Sequence, residues 1–400
     1  MRSPLTHRLD PAFLRSELQR IVSKYARRIR RVDRQVVTLE PAGPARGEVL
    51  FSYIVDPFLL PGPEAIPYSH THFWESWTMA QTFVDLGFRV NAIHWTHGRF
   101  LPEKSYDLMI DVRMNLERLA PLLPDAALKI AHLDTGHFSF HNPAQEKRLA
   151  DLEERRGFAL KPQKMVAPNR QIEASDLATL LGNEFTRETY EFAGKPLHRI
   201  PISVPFEYPW QSGKDFAGPA RRRYLWFGSG GLVHKGLDLV LDAFAGLPEH
   251  HLTVCGPIRR EPDFERAYFD ELYRTPNIET LGWIDVGSQD FLELARRTVA
   301  LIYPSCSEGG GSSVLTCMHA GMIPIITRES SVDVSPQTGV ILRDATVEGI
   351  RRAIQELSAR PPGELEETAR QARSFAREHH TKAHFSAGYA DFARNLVGAR

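Results

Sequence analysis

The chain has 400 residues, 42% hydrophobic and 24% charged, and its 49 Lys and Arg balance 49 Asp and Glu. That length suits two medium domains rather than one, and zero formal net charge supplies no global field to recruit nucleic acid. Three cysteines in so long a chain argue against a secreted disulfide scaffold. With no apolar signal core at the amino terminus and no apolar run near the roughly 20 residues that span a bilayer, the expected location is the cytoplasm.

The first 46 residues form a basic extension. Between Arg15 and Arg34, the cations Arg20, Lys24, Arg27, Arg28, Arg30 and Arg31 alternate with Leu14, Leu18, Ile21, Val22, Tyr25 and Ile29. At helical spacing this is an amphipathic basic helix, suited either to docking on the body or to peripheral contact with an anionic membrane face. From Gly47 the chain becomes α/β. Val49–Val55 reads as a strand and is followed by a loop dense in proline. His72–Leu86 reads as a helix stopped by Gly87. Further strands are expected at Phe88–Trp95, Tyr106–Val112 and Ala127–Leu133, and helices at Ser175–Gly182 and Thr186–Ala193. Strands alternating with helices imply a parallel sheet covered on both faces.

A proline-rich, charged connector over 206–223 separates this first domain (47–205) from a second (224–382). In the second, Leu225–Gly228, Leu252–Gly256, Ile278–Ile284 and Val299–Tyr303 read as strands. Val347–Ala359 and Gly363–His379 read as helices. A last helix over 383–400 is expected to cross back to the first domain.

Ligands of open parallel sheets bind beyond the carboxyl ends of the strands, so chemistry is expected there. After Tyr303 the chain reads Pro304-Ser305-Cys306-Ser307-Glu308-Gly309-Gly310-Gly311-Ser312-Ser313 and then enters a helix ending at Gly321. A glycine-rich turn before a helix exposes N–H groups at its positive end, which suits a phosphate. The amides around Gly310 and Gly311 and the hydroxyls of Ser312 and Ser313 form the cradle. Glu308 beside them can grip sugar hydroxyls. The bland alternatives are a carboxylate complementing the helix dipole and serines acting as ordinary caps.

Upstream, Phe227-Gly228-Ser229-Gly230-Gly231-Leu232-Val233-His234-Lys235-Gly236 is a short glycine loop leading to Lys-Gly and an amphipathic helix. Together with Pro-Ser-x-x-Glu-Gly-x-Gly and the later Ala-Gly-x-Ile-Pro-Ile-Ile, this resembles the donor-binding half of the retaining "group 1" glycosyltransferases. The likeness is specific over about 225–345 and weaker before 200. It implies the GT-B fold: two Rossmann-like domains facing across a cleft. It further implies transfer of a sugar from a nucleotide diphosphate donor to an acceptor hydroxyl, with retention, in assembly of cell-surface glycan or polysaccharide. The partners are then the nucleotide-sugar, as co-substrate, and a glycan, lipid-linked or other hydroxyl acceptor, with no nucleic acid and no cofactor.

The resemblance assigns donor binding to Ser229, Gly230, Gly231, Lys235, Glu308, Gly310, Gly311, Ser312, Ser313 and Thr316. Lys235 meets the diphosphate, and His132, after a first-domain strand, lies near the reacting carbon. His132, Lys235 and Glu308 are the expected catalytic residues. Acceptor contacts are expected from His70, His72, Asp134 and His137.

Two departures stand out. Thr316 occupies the position of a second family glutamate that holds the ribose, and the loop Ser229–Gly231 lacks the arginine that pairs with the diphosphate. Three alternatives stay open: a nucleotide-sugar epimerase of the same fold, a non-catalytic glycosyltransferase-like scaffold, and a dinucleotide oxidoreductase. The last rests only on Gly228-x-Gly230-Gly231, where Val233 stands at the fingerprint's third glycine. His70/His72, His94/His97 and His137/His141 have spacings compatible with metal ligation. No cysteine pair or His-Glu-x-x-His helix accompanies them, so no metal is expected.

Overall fold

The computed structural model describes residues 32–398. The basic amphipathic segment therefore lies, up to residue 31, outside the described residues. The strands form two sheets, one in the order β1-β3-β2-β4-β5-β6-β7 and one in the order β10-β9-β8-β11-β12-β13. Contacts divide the described chain into two units, 32–132 with 170–178 and 390–398, and 133–169 with 179–389.

In the first unit, β1 (Val36–Leu39) and β2 (Glu48–Tyr53) precede helix α1 (Thr71–Asp85). Then come β3 (Arg89–His94), β4 (Leu108–Asp111), α2 (Asn115–Leu119) and β5 (Leu128–Leu133). Strand β2 pairs in parallel with both β3 and β4, and β4 with β5. The short β1, ahead of Gly47, adds an antiparallel edge against β3. Helix α1 starts at His70, whose Nδ1 accepts from the His72 amide at 3.3 Å. It ends before Gly87, which adopts the left-handed φ of 89°. Val49, Leu50, Phe51, Val90, Ile93, Met109 and Ile110 are fully buried, as expected for parallel strands covered on both faces.

The second unit opens with α3 (Phe138–Arg156), a 19-residue helix that the sequence reading missed. Strand β6 (Leu177–Leu180) replaces the helix expected over Ser175–Gly182. The run Leu-Ala-Thr-Leu is too short for periodicity to decide, and pairing settles it. Asp176 N donates to Lys129 O at 2.8 Å and Leu181 N to Leu133 O at 3.0 Å. There follow α4 (Glu184–Glu188), β7 (Leu197–Arg199), β8 (Arg223–Phe227), α5 (Leu237–Ala245), β9 (His251–Cys255), α6 (Pro262–Ala267), α7 (Phe269–Tyr273) and β10 (Ile278–Gly282). The chain continues with α8 (Gln289–Arg296), β11 (Ala300–Tyr303), α9 (Ser312–His319), β12 (Ile323–Ile326) and β13 (Val340–Ile341). It closes with α10 (Val347–Ala359), α11 (Pro362–His379) and α12 (Lys382–Gly398).

Every pairing from β10 to β13 is parallel. Counted from β8, the order is 3-2-1-4-5-6, that of a doubly wound Rossmann-like sheet. Its core is aromatic-rich, with Tyr224, Trp226, Phe244, Phe264 and Tyr268 almost fully buried.

Helix α3 is fixed to this unit by charge. Arg155 donates to Asp238 at 2.8 Å and to Asp242 at 2.7 Å. Arg156 donates to Glu271 at 2.6 Å and lies over the Tyr268 ring. Asp238 is fully buried. Burial raises its carboxyl above the ordinary range, and Arg148 and Arg155 work against that rise.

Candidate active site

The order of the second sheet reverses between β8 and β11, and ligands of doubly wound sheets bind at such a switch point. The loop after β8 carries Ser229 to Lys235, and the loop after β11 carries Pro304 to Gly311. The two loops meet. Gly236, at φ 72°, lies so close to Pro304 that a Cβ there would fall 2.6 Å from its carbonyl oxygen. Cys306 N donates to His234 O at 3.0 Å.

Lys235 and Glu308 form an ion pair across this junction. The Lys235 ammonium also donates to the Tyr303 hydroxyl at 2.7 Å, and that hydroxyl donates to Glu308 Oε1 at 2.9 Å. Ser305 Oγ adds a third donor to the same oxygen at 3.0 Å. Lys235 is 5% exposed, whereas the Glu308 side chain keeps 19%. Burial alone would raise the Glu308 carboxyl, but Lys235, the neighbouring His234 and the Tyr303 hydroxyl together outweigh it and bring the group down to about 2. Glu308 is therefore ionised at neutral pH. Burial raises the Tyr303 hydroxyl well above its ordinary range, so it remains a donor.

Two histidines back this cluster. Burial lowers His234 to about 3, which leaves a neutral ring whose Nε2–H donates to Ser307 O at 2.5 Å. Its 4.0 Å approach to Glu308 is therefore not an ion pair. Cys306, raised to about 11 by burial, offers its thiol to His234 Nδ1 at 3.4 Å. His141, from α3, lies against His234 with ring centroids 4.8 Å apart. It accepts from Ser307 Oγ at 3.0 Å and donates to Lys164 O at 2.6 Å. Burial lowers this ring too.

The three glycines after Glu308 serve different ends. A Cβ at Gly309 would fall 2.2 Å from Thr135 Cα, and one at Gly311 would fall 2.6 Å from Ser330 O. Close approach of the chain accounts for both. At Gly310 the nearest atom is 3.5 Å away, an ordinary contact. Gly310, Gly311, Ser312 and Ser313 form the entry to α9, and Thr316 lies within that helix, 3% exposed. Ser229 is exposed at the tip of the β8 loop. The amides of Gly231 and Leu232 both donate to the Glu261 carboxylate.

Of the remaining expected residues, Asp134 adjoins this cluster through its backbone, whose carbonyl oxygen a Cβ at Gly309 would meet at 2.3 Å. His132, on β5 of the first unit, is fully buried, its ring 6.0 Å from that of Tyr53. His72 reaches the same Tyr53 ring at 5.7 Å, so the ends of β2 and β5 gather two of the expected histidines. His70, exposed, is the cap of α1. In the second unit Asp134 is half-buried. His137 caps α3, with Nδ1 2.7 Å from Ser139 Oγ and its ring among Phe138, Tyr190 and Phe192. Among the described residues, no group of three His, Cys, Asp or Glu side chains is placed to hold a metal ion.

Tyr303, Ser305, His234 and Glu261 were not assigned a role from sequence, and His141 was weighed only for its metal-ligand spacing from His137. Tyr303 and His234 adjoin the recognised motifs and could have been found there. His141 and Glu261 lie 167 and 47 positions before Glu308, and nothing local ties either to it.

Residues 221–360 match the family model described as "Glycosyl transferases group 1". Among solved structures, the chain is similar to HepE (Alr3699) of Anabaena in complex with UDP and glucose. The TM-score is 0.55 at 13% identity, covering 88% of this chain and 100% of that one. It is likewise similar to a sucrose-phosphate synthase from Thermosynechococcus elongatus (0.53, 13%, 89% and 100%). A third is WaaG, a glycosyltransferase involved in lipopolysaccharide biosynthesis (0.52, 15%, 88% and 100%). No curated protein sequence matches it. At such identities the likeness concerns the fold alone, the GT-B fold, and the family match is confined to residues 221–360 of this chain.

Proposed function

We propose that the protein transfers a hexosyl group from a nucleoside diphosphate donor to a hydroxyl of a glycan or lipid-linked acceptor, with retention, in assembly of cell-surface glycan or polysaccharide. The observation that carries this reading is the meeting of Lys235 and Glu308 at the switch point of the second sheet. An ammonium has three donors. Tyr303 and Glu308 take two, leaving one for a phosphate oxygen.

The three donors to Glu308 all engage Oε1, so Oε2 is the oxygen assigned to accept from a sugar hydroxyl. The reaction breaks the bond between the anomeric carbon and a diphosphate oxygen and forms one to the acceptor oxygen. The acceptor proton passes to the departing diphosphate. Lys235 counters the charge that grows there, a term that acts more strongly in the transition state than in the ground state. The nucleotide-sugar is the co-substrate, and the scheme uses no metal.

Two similar structures support the donor class and the process. HepE was solved with UDP-glucose, and WaaG is described as acting in lipopolysaccharide biosynthesis. His132 is proposed as the catalytic residue beside the reacting carbon, and His70, His72, Asp134 and His137 as the acceptor-side residues.

The test is release of nucleoside diphosphate from a panel of nucleotide-sugars, with and without candidate acceptors, and NMR of the product anomer. Acceptor-dependent release with retained configuration is expected. Interconversion of donor without acceptor would make the protein an epimerase, and absence of any nucleotide binding would make it a scaffold. For the basic segment, liposome sedimentation before and after deletion of residues 1–46 tests peripheral membrane contact. Equal binding by both forms would remove it.

A further inference from the structure

The loop Ser229-Gly230-Gly231 contributes no cationic side chain, although it lies at the switch point. The structure brings one from elsewhere. After α3 the chain doubles back over this loop as a strap pinned by side chains of that helix. Asn142 exchanges two hydrogen bonds of 2.9 Å with the backbone of Val166, and Gln145 Oε1 accepts from Lys164 N at 2.9 Å. His141 holds the Lys164 carbonyl.

The Lys164 side chain then runs across Gly231. A Cβ at that position would meet Lys164 Cγ at 2.5 Å and Cε at 3.3 Å. Gly231, at φ 87°, is thus a glycine for two reasons, its left-handed backbone and the lysine stem lying on it. The ammonium is one bond beyond an ε-carbon already in contact with the loop.

The loop also attracts an anion within this chain. Gly231 and Leu232 N–H groups both donate to the Glu261 carboxylate. Burial raises that carboxyl, while the two amides, Lys164 and Lys235 stabilise its charge. A small cavity of about 50 Å³ adjoins it, bordered by His234, Arg260 and Lys161. Glu261 occupies the amides that an incoming diphosphate would need.

We propose that Lys164 supplies the cation the glycine loop lacks and pairs with the donor diphosphate, which displaces Glu261 from the loop amides. This rests on the donor reading above. Lys164 binds the leaving diphosphate together with Lys235, so affinity for a diphosphate depends on both lysines.

Calorimetry with UDP, ADP, GDP and inorganic pyrophosphate, on wild type, Lys164→Met, Lys164→Arg and Lys235→Met, tests it. Methionine keeps the stem over Gly231 and removes the charge. The expected result is about tenfold weaker binding of the preferred diphosphate in Lys164→Met, the size of one charge-assisted hydrogen bond. The salt dependence should be shallower, and Lys164→Arg should largely restore binding. Binding within twofold of wild type in Lys164→Met, with loss in Lys235→Met, would overturn this proposal and leave the donor reading standing. Failure of wild type to bind any diphosphate would overturn both. If Lys164→Met does not fold, acylation footprinting of the wild type decides: the preferred diphosphate should protect Lys164, and unchanged labelling refutes the pairing.

Discussion

Replacing Lys235 by methionine removes an ammonium buried against Tyr303 and Glu308 and leaves a carboxylate without its counter-charge. The cost can be read from Glu308. Its carboxyl falls from an ordinary 4.5 to about 2, and at 1.36 kcal/mol per unit this corresponds to about 3 kcal/mol of stability. The sign follows from the depressed folded value: the contribution is present above about pH 4.5 and is lost as pH falls towards 2. In Lys235→Met the largest favourable charge is absent while the Tyr303 and Ser305 donors stay, so the Glu308 carboxyl rises towards its unfolded value. Urea denaturation followed by tryptophan fluorescence should therefore show a deficit of up to about 3 kcal/mol at pH 7 that shrinks between pH 5 and pH 3. Glu308→Gln should remove most of the remaining difference in a double-mutant cycle. Equal stability of Lys235→Met and wild type at pH 7, or a deficit unchanged at pH 3, would refute the reasoning.

Two further perturbations probe what positions the site. Gly309→Ala, whose new methyl would meet the Thr135 backbone at 2.2 Å, should lower the melting temperature by several degrees, whereas Gly310→Ala should have little effect. Equal effects of the two would deny the packing account. Arg155→Met leaves the buried Asp238 with less compensation and should cost about 3 kcal/mol in urea denaturation. A change below about 0.5 kcal/mol, the ordinary surface scale, would show that this network does not hold α3 in place.

The second sheet was legible because its strands are near-continuous apolar runs, and because Lys235 and Glu308 each follow one within a glycine pattern. What joins them was not. Tyr303 bridges the two charges only because β8 and β11 are neighbours in the sheet. Helix α3 went unread since Pro143 falls inside it and most of its residues are polar. Its stability comes instead from Arg155, Arg156 and Arg148 against distant partners, and tertiary contacts of that kind leave no local period. Ser175–Gly182 was misread for the opposite reason, being apolar enough for either a helix or a strand. The glycines at 309 and 311 were marked as significant by sequence. Whether a ligand or the chain itself required them depended on Thr135 and Ser330, which only the fold brings near.

The most direct measurement is thermal protection by a panel of nucleotide-sugars, made on wild type and on Lys235→Met and Glu308→Gln. The account predicts that one donor raises the wild-type melting temperature in a concentration-dependent way and that Lys235→Met abolishes the rise, with Glu308→Gln reducing it. Undiminished protection in both variants would contradict it.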